Sequence, residues 1–150
     1  MRVSLSLLGL LLAACAGPGH QRVPMPSLDE SVPSDRCRVY LAREETTAGS
    51  IRNVRVFDGE TEIGVIDQHE FLCWERVPGR GVGRVVFEGL GPQLASVESV
   101  FDLPRDPGTI GYYSIRIVYG EHKPEITPLS NEEGQALIKA RSPAVVQGRD

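Results

Sequence analysis

The segment NVRVFDGETEIGVID, Asn53 to Asp67, decides the fold class. Apolar residues alternate on both sides of Asp58-Gly59, and a DG pair in that setting is among the strongest local signals for a β-hairpin. Working outward, CRVYLAR (Cys37–Arg43) lies upstream, and EFLCWERV (Glu70–Val77), GRVVFEGL (Gly83–Leu90), SVESVFDL (Ser96–Leu103) and YYSIRIVYG (Tyr112–Gly120) lie downstream. Each is a short run rich in β-branched or aromatic residues. Turn residues recur between them every 8 to 12 positions or so, the spacing of a small all-β sandwich. The expectation is one mainly β domain over residues 37–142, an antiparallel sandwich of about seven strands. Its C-terminal end breaks the pattern. Ser130 and Glu133 have capping-box spacing, and Ala136, Leu137 and Ala140 give a modest apolar face, so Ser130 to about Arg141 reads as a short helix. Gly134 weakens that helix by up to about 1 kcal/mol relative to Ala, and Pro143 stops it. Residues 143–150 read as a loose tail.

The rest of the composition narrows the classes of function. With 150 residues there is room for one core plus short tails. A net charge of -4 without a run of Lys or Arg lacks the electrostatic footprint of a nucleic-acid binder.

The first residues read as an export signal. Arg2 supplies the positive start, Val3 to Leu12 the apolar run, and Ala13 and Ala14 the small residues before a cleavage site. The run is too short to span a bilayer, which takes about 20 residues, and helix breakers follow at Gly17 and Pro18. Leu12-Ala13-Ala14-Cys15 resembles the lipobox of bacterial lipoproteins. That resemblance implies removal of residues 1–14 and acylation of Cys15, and the absence of Asp at position 16 implies delivery to the outer membrane, facing the periplasm. Several acyl chains anchor firmly, at about 0.8 kcal/mol for each buried methylene. Residues 15–36 then read as the lipidated Cys and a disordered tether. Pro18, Pro24, Pro26 and Pro33 oppose helix and ladder alike, and such a tether reaches roughly 25 Å.

Taken in order, VRVFDGETEIGVID, EFLCWERVPGRG, YYSIRI and SNEEGQALIKA resemble an uncharacterised family of small bacterial lipoproteins, whose domain is similar to PEGA-type and transthyretin-like β-sandwiches. The resemblance spans about Arg36 to Arg141 and departs at Arg80-Gly81-Val82-Gly83, where the family usually has His or Tyr. It implies fold and context but no catalytic residues.

With Cys15 assigned to the anchor, Cys37 and Cys73 remain in an exported domain. An oxidising compartment predicts a disulfide between them; the alternative is two small buried thiols in separate strands. His20, His69 and His122 lack the close spacing of structural zinc ligands and read as solvated residues, so no metal or other cofactor is expected. The glycine-rich Pro78–Gly83 precedes a strand where a phosphate loop needs a helix, and reads as a hairpin connection. No nucleophile signature is present. Trp74, Tyr112, Tyr113 and Tyr119 are the candidate ligand-stacking residues, each weighed against a place in the core. The expected function is therefore non-enzymatic: a lipid-anchored binding or scaffold module with an envelope protein partner, with carbohydrate or peptidoglycan binding as the alternative and an envelope hydrolase behind both.

Overall fold

The hairpin forms as β3 (Val54–Asp58) and β4 (Thr61–Ile66), with Gly59 and Glu60 as its loop. Gly59 has φ +57°, at the loop position where type II′ turns require glycine. A bulge at Val56/Phe57 shifts the register and lets Ile63 and Ile66 both face inward. The structure, a computed structural model, describes residues 19–45, 54–87, 96–117 and 123–147.

All seven expected strands are present. Besides the hairpin they are β2 (Cys37–Arg43), β5 (Glu70–Arg76), β6 (Val82–Phe87), β7 (Val97–Asp102) and β8 (Ile110–Ile117). Four more were not read from the sequence: β1 (His20–Gln21), β9 (Pro124–Leu129), β10 (Ser142–Pro143) and β11 (Val145–Val146). They make a six-stranded sheet, β11-β1-β4-β3-β6-β7, and a five-stranded sheet, β10-β5-β2-β8-β9. The chain alternates between the sheets, and this brings β2 and β8 side by side in parallel. The sheets are thus mixed, a correction to the antiparallel expectation. β5 and β6 lie in different sheets, so Pro78–Gly81 turns a corner between layers and is no hairpin.

Alternate residues of both sheets fill one core. Val39, Leu41, Leu72, Trp74 and Ile115 meet Val54, Val56, Ile66, Val85 and Phe87 between the layers. The outer face of the five-stranded sheet is also covered, by helix α1 (Asn131–Lys139). Ser130 caps it: the Ser130 hydroxyl accepts from the Glu133 N–H, while the Glu133 carboxylate accepts from the Ser130 N–H at 3.0 Å. The face α1 buries runs through Gly134, Leu137 and Ile138, with Ala136 exposed. Gly134 has a reason that propensity hides, because a Cβ there would overlap the Tyr112 ring.

The expected tether and tail both need correction. From Gly19 the chain is docked: β1 pairs antiparallel with β4 and parallel with β11, and Arg22 and Val23 donate to the Ile63 carbonyl. Val23 and Met25 pack on the apolar clusters. In the expected tail, β10 pairs with β5 of one sheet, β11 pairs with β1 of the other, and Ala144 is buried between them. Composition scores a whole segment, whereas two edge residues pair wherever neighbouring strands leave backbone groups unsatisfied.

Candidate functional site

β3 and β5 end at the same pole of the sandwich, where β2 begins. Asp58 closes β3, and its Oδ2 accepts from Trp74 Nε1 and from Arg76 Nε, both at 3.1 Å. Arg76 then reaches across the layers: Nη1 donates to the carbonyls of Gly79 (3.1 Å) and Pro104 (2.9 Å). A Cβ at Gly81 would collide with this guanidinium, so the glycine-rich corner serves Arg76 and not a phosphate. Beside it, Arg38 is 3% exposed; Nε and Nη2 bond Glu75 Oε1, and Nη1 bonds the Glu30 carbonyl. A cavity of about 370 Å³ opens here, with Val23, Ile63 and Trp74 among its apolar lining and Arg36, Asp58 and Glu75 among its polar lining. That size and mixture fall at the lower end of small-ligand sites.

A second cavity, of about 750 Å³, lies where β7 and β9 end the two sheets, and Glu98, Ser99, Arg116, Lys123, Glu125 and Ile126 line it. Within its lining Arg116 pairs with Glu125 at 2.8 Å, and Glu98 pairs with Arg84 outside it at 3.2 Å. The Ser99 hydroxyl donates to the Pro124 carbonyl at 2.5 Å and ties β7 to β9.

The predicted site residues are not brought together. Trp74 is 1% exposed and sits in the core, so it offers no stacking surface. Tyr113 is buried on the inner face, 4.8 Å from the Phe101 ring, with its hydroxyl on the Asp102 carbonyl. Tyr112 is buried beneath α1 and stacks on Tyr40 at 5.0 Å. Alternation along β8 sends Tyr112 and Tyr113 to opposite faces, and both faces are covered. Cys15, Tyr119 and His122 lie outside the described residues.

The expected disulfide is corrected as well: Cys37 and Cys73 are both free and buried. In the β2–β5 ladder Cys37 stands opposite Arg76 and Cys73 opposite Tyr40, an offset of about 10 Å along the strands. Moreover, Cys37 shares the inner face with Val39, whereas Cys73 shares the outer face with Tyr40. No bridge spans that geometry. The Cys37 thiol donates to the Asp106 carbonyl at 3.2 Å. Burial pushes the Cys73 thiol and the Tyr40 hydroxyl each up to about 12.

His20 Nε2 accepts from Arg22 Nε at 3.3 Å, and His69, at φ +66°, places Nε2 3.6 Å from Glu45. Among the described residues no three His, Cys, Asp or Glu side chains converge as metal ligands.

Two residues that sequence reasoning missed carry much of the polar architecture. Arg76 gave no signal beyond its charge. Gln21 is fully buried, and its side-chain amide donates to the Cys73 carbonyl and accepts from the Cys73 N–H. It thereby completes the free edge of β5 from the other sheet. No known protein family, curated protein or solved structure matches the chain.

Proposed function

We propose that this protein is a lipid-anchored binding module of the bacterial cell envelope, held in the outer membrane by acyl chains on Cys15 and facing the periplasm. The observation that carries the reading is the lipobox-like Leu12-Ala13-Ala14-Cys15 placed just ahead of a folded β-sandwich whose described part begins at Gly19. An exported thiol so placed serves an anchor better than a core. Binding is favoured over catalysis because the buried polar groups are spent on structure: Asp58 serves Trp74 and Arg76, and Glu75 serves Arg38. The partner we favour is an extended segment of an envelope protein added along β7. Among the described residues β7 has no strand beyond it, contains no proline and exposes Val100 at 62%. The glycan reading loses Trp74, Tyr112 and Tyr113, which are buried, and Tyr119 lies outside the described residues.

Labelling cells with a palmitate analogue tests the anchor: the wild-type protein takes up label and fractionates with membranes, and Cys15→Ser stays unlabelled and unprocessed. A wild-type protein without acyl label refutes it. Crosslinking in intact cells tests the edge, where Val100→Lys is expected to remove the partner band while leaving the protein folded.

A further inference from the structure

We infer that the sandwich stands on the membrane by one fixed pole, the pole where Gly19 docks, and turns the Asp58–Trp74–Arg76 pole away from it. The inference rests on the lipid anchor at Cys15 proposed above, and it replaces the long tether with a short mount.

Only Ala16, Gly17 and Pro18 separate Cys15 from Gly19, so Gly19 lies within about 14 Å of the acylated residue. Gly19 is buried, with no room for a Cβ beside the Glu70 carboxylate and the backbone of Asp67 and Val65. The next two residues are paired on both sides by β4 and β11. A chain held this way cannot swing the domain as a 21-residue coil would.

The topology fixes which pole this is. Gly19 sits at the turn from β4 to β5, where β4 ends and β5 begins. β2 ends at this pole because it runs antiparallel to β5, and β8 ends here because it runs parallel to β2. In the other sheet β3 begins here, opposite Ile66, and so does β7. Glu44, Glu45 and His69 therefore lie at the membrane end. The 370 Å³ cavity and the corner at Arg80 lie at the far end, beyond the seven residues of β2, a separation of about 23 Å. The near pole faces the phospholipid headgroups through the short reach from Cys15 and not through its own charge, since Glu44, Glu45, Asp67 and Glu70 gather there.

The test uses acylated protein in vesicles of phosphatidylethanolamine and phosphatidylglycerol carrying headgroup spin labels. One fluorophore is placed at Glu45→Cys or at Arg80→Cys, both exposed positions, while Cys37 and Cys73 stay buried. The Glu45 label is expected to lose most of its fluorescence and the Arg80 label almost none. A Gly-Ser insertion of about ten residues between Ala16 and Gly17 lengthens the mount enough to erase the difference. Equal quenching of the two labels in the uninserted protein, or a difference that survives the insertion, overturns the orientation. The intact mass is measured first: a chain without acyl groups overturns the anchor itself, a separate failure.

Discussion

On one long side of the sandwich the sheets end in β10 and β11, and on the other in β9 and β7, and the two sides are finished by different means. The first side is clasped by the chain's own distant segments. Residues 19–21 enter one sheet, residues 142–146 cross from one sheet to the other, and the Gln21 amide completes the edge of β5. The second side is left as two edges joined by the bond from Ser99 to Pro124. There β9 protects itself by composition. Pro124 and Pro128 are four residues apart, in the same strand phase, and have no N–H to offer a strand beyond this edge, which leaves it blunt. β7 has no such protection. The sandwich thus closes one side by hydrogen-bonded pairing of its own distant segments, and on the other leaves β7 unpaired along its outer edge among the described residues.

The largest effect is expected from removing the clasp. Ending the chain at Arg141 deletes the bonds from the N–H groups of Ser142, Ala144 and Gln147 to the carbonyls of His69, Phe71 and Gln21, together with buried Ala144. The expected loss is about 3 kcal/mol, at about 1 kcal/mol for each bond, read as a lower urea midpoint. An unchanged midpoint would show that the clasp is ornamental. Gln21→Ala is the sharper variant, because it leaves the clasp strands intact and strips both backbone groups of Cys73 of their buried partner. It is expected to cost about 2 kcal/mol, read as a lower urea midpoint. On the open side, Ser99→Ala removes one hydrogen bond and is expected to cost no more than about 1 kcal/mol. If Ser99→Ala costs as much as Gln21→Ala, the two sides are not different in kind.

The same contrast marks where the sequence was legible. Seven of the eight longer strands and the capped helix follow from alternation, β-branched residues and Ser130-x-x-Glu133, all local signals, whereas Pro124 and Pro128 hide the six-residue β9. What stayed hidden depends on partners far along the chain. Two-residue strands have no period to detect, and a Pro-rich stretch reads as a coil even where neighbouring edges capture its backbone. Gly134 shows the same limit from the opposite direction: propensity marks it as a flaw, and only the closeness of Tyr112 shows that no other residue fits. Of the candidate site, alternation places Trp74, Tyr112 and Tyr113 on strands, but which faces are covered is decided by α1 and by the second sheet. The disulfide expectation failed for a related reason, since compartment and count say nothing of register.

The smallest prediction compares acids on the two sheets. Glu70, at the clasped end of β5, is pushed up by burial, with the Asp67 charge adding to the rise. Glu62, on the open face of the six-stranded sheet, is pulled down, chiefly by its hydrogen bond to Arg55. The native state holds the Glu70 proton more tightly than the unfolded chain does. Protonating Glu70 therefore adds stability as pH falls toward the ordinary carboxylate value of about 4.3. Glu62 works in the other sense: its contribution is complete above that value and is lost as pH falls through its lowered one. Glu70→Gln, which keeps an acceptor for the Asp67 N–H, should leave neutral stability equal or slightly higher and remove the gain between neutrality and mild acid. Glu62→Gln should lower stability at neutral pH and flatten the loss in stronger acid. Thermal midpoints of both variants at neutral pH, in mild acid and in stronger acid read the two signs directly. If both variants shift in the same direction at neutral pH, Glu70 is not a strained group, and the docking of Gly19 against it carries no electrostatic cost.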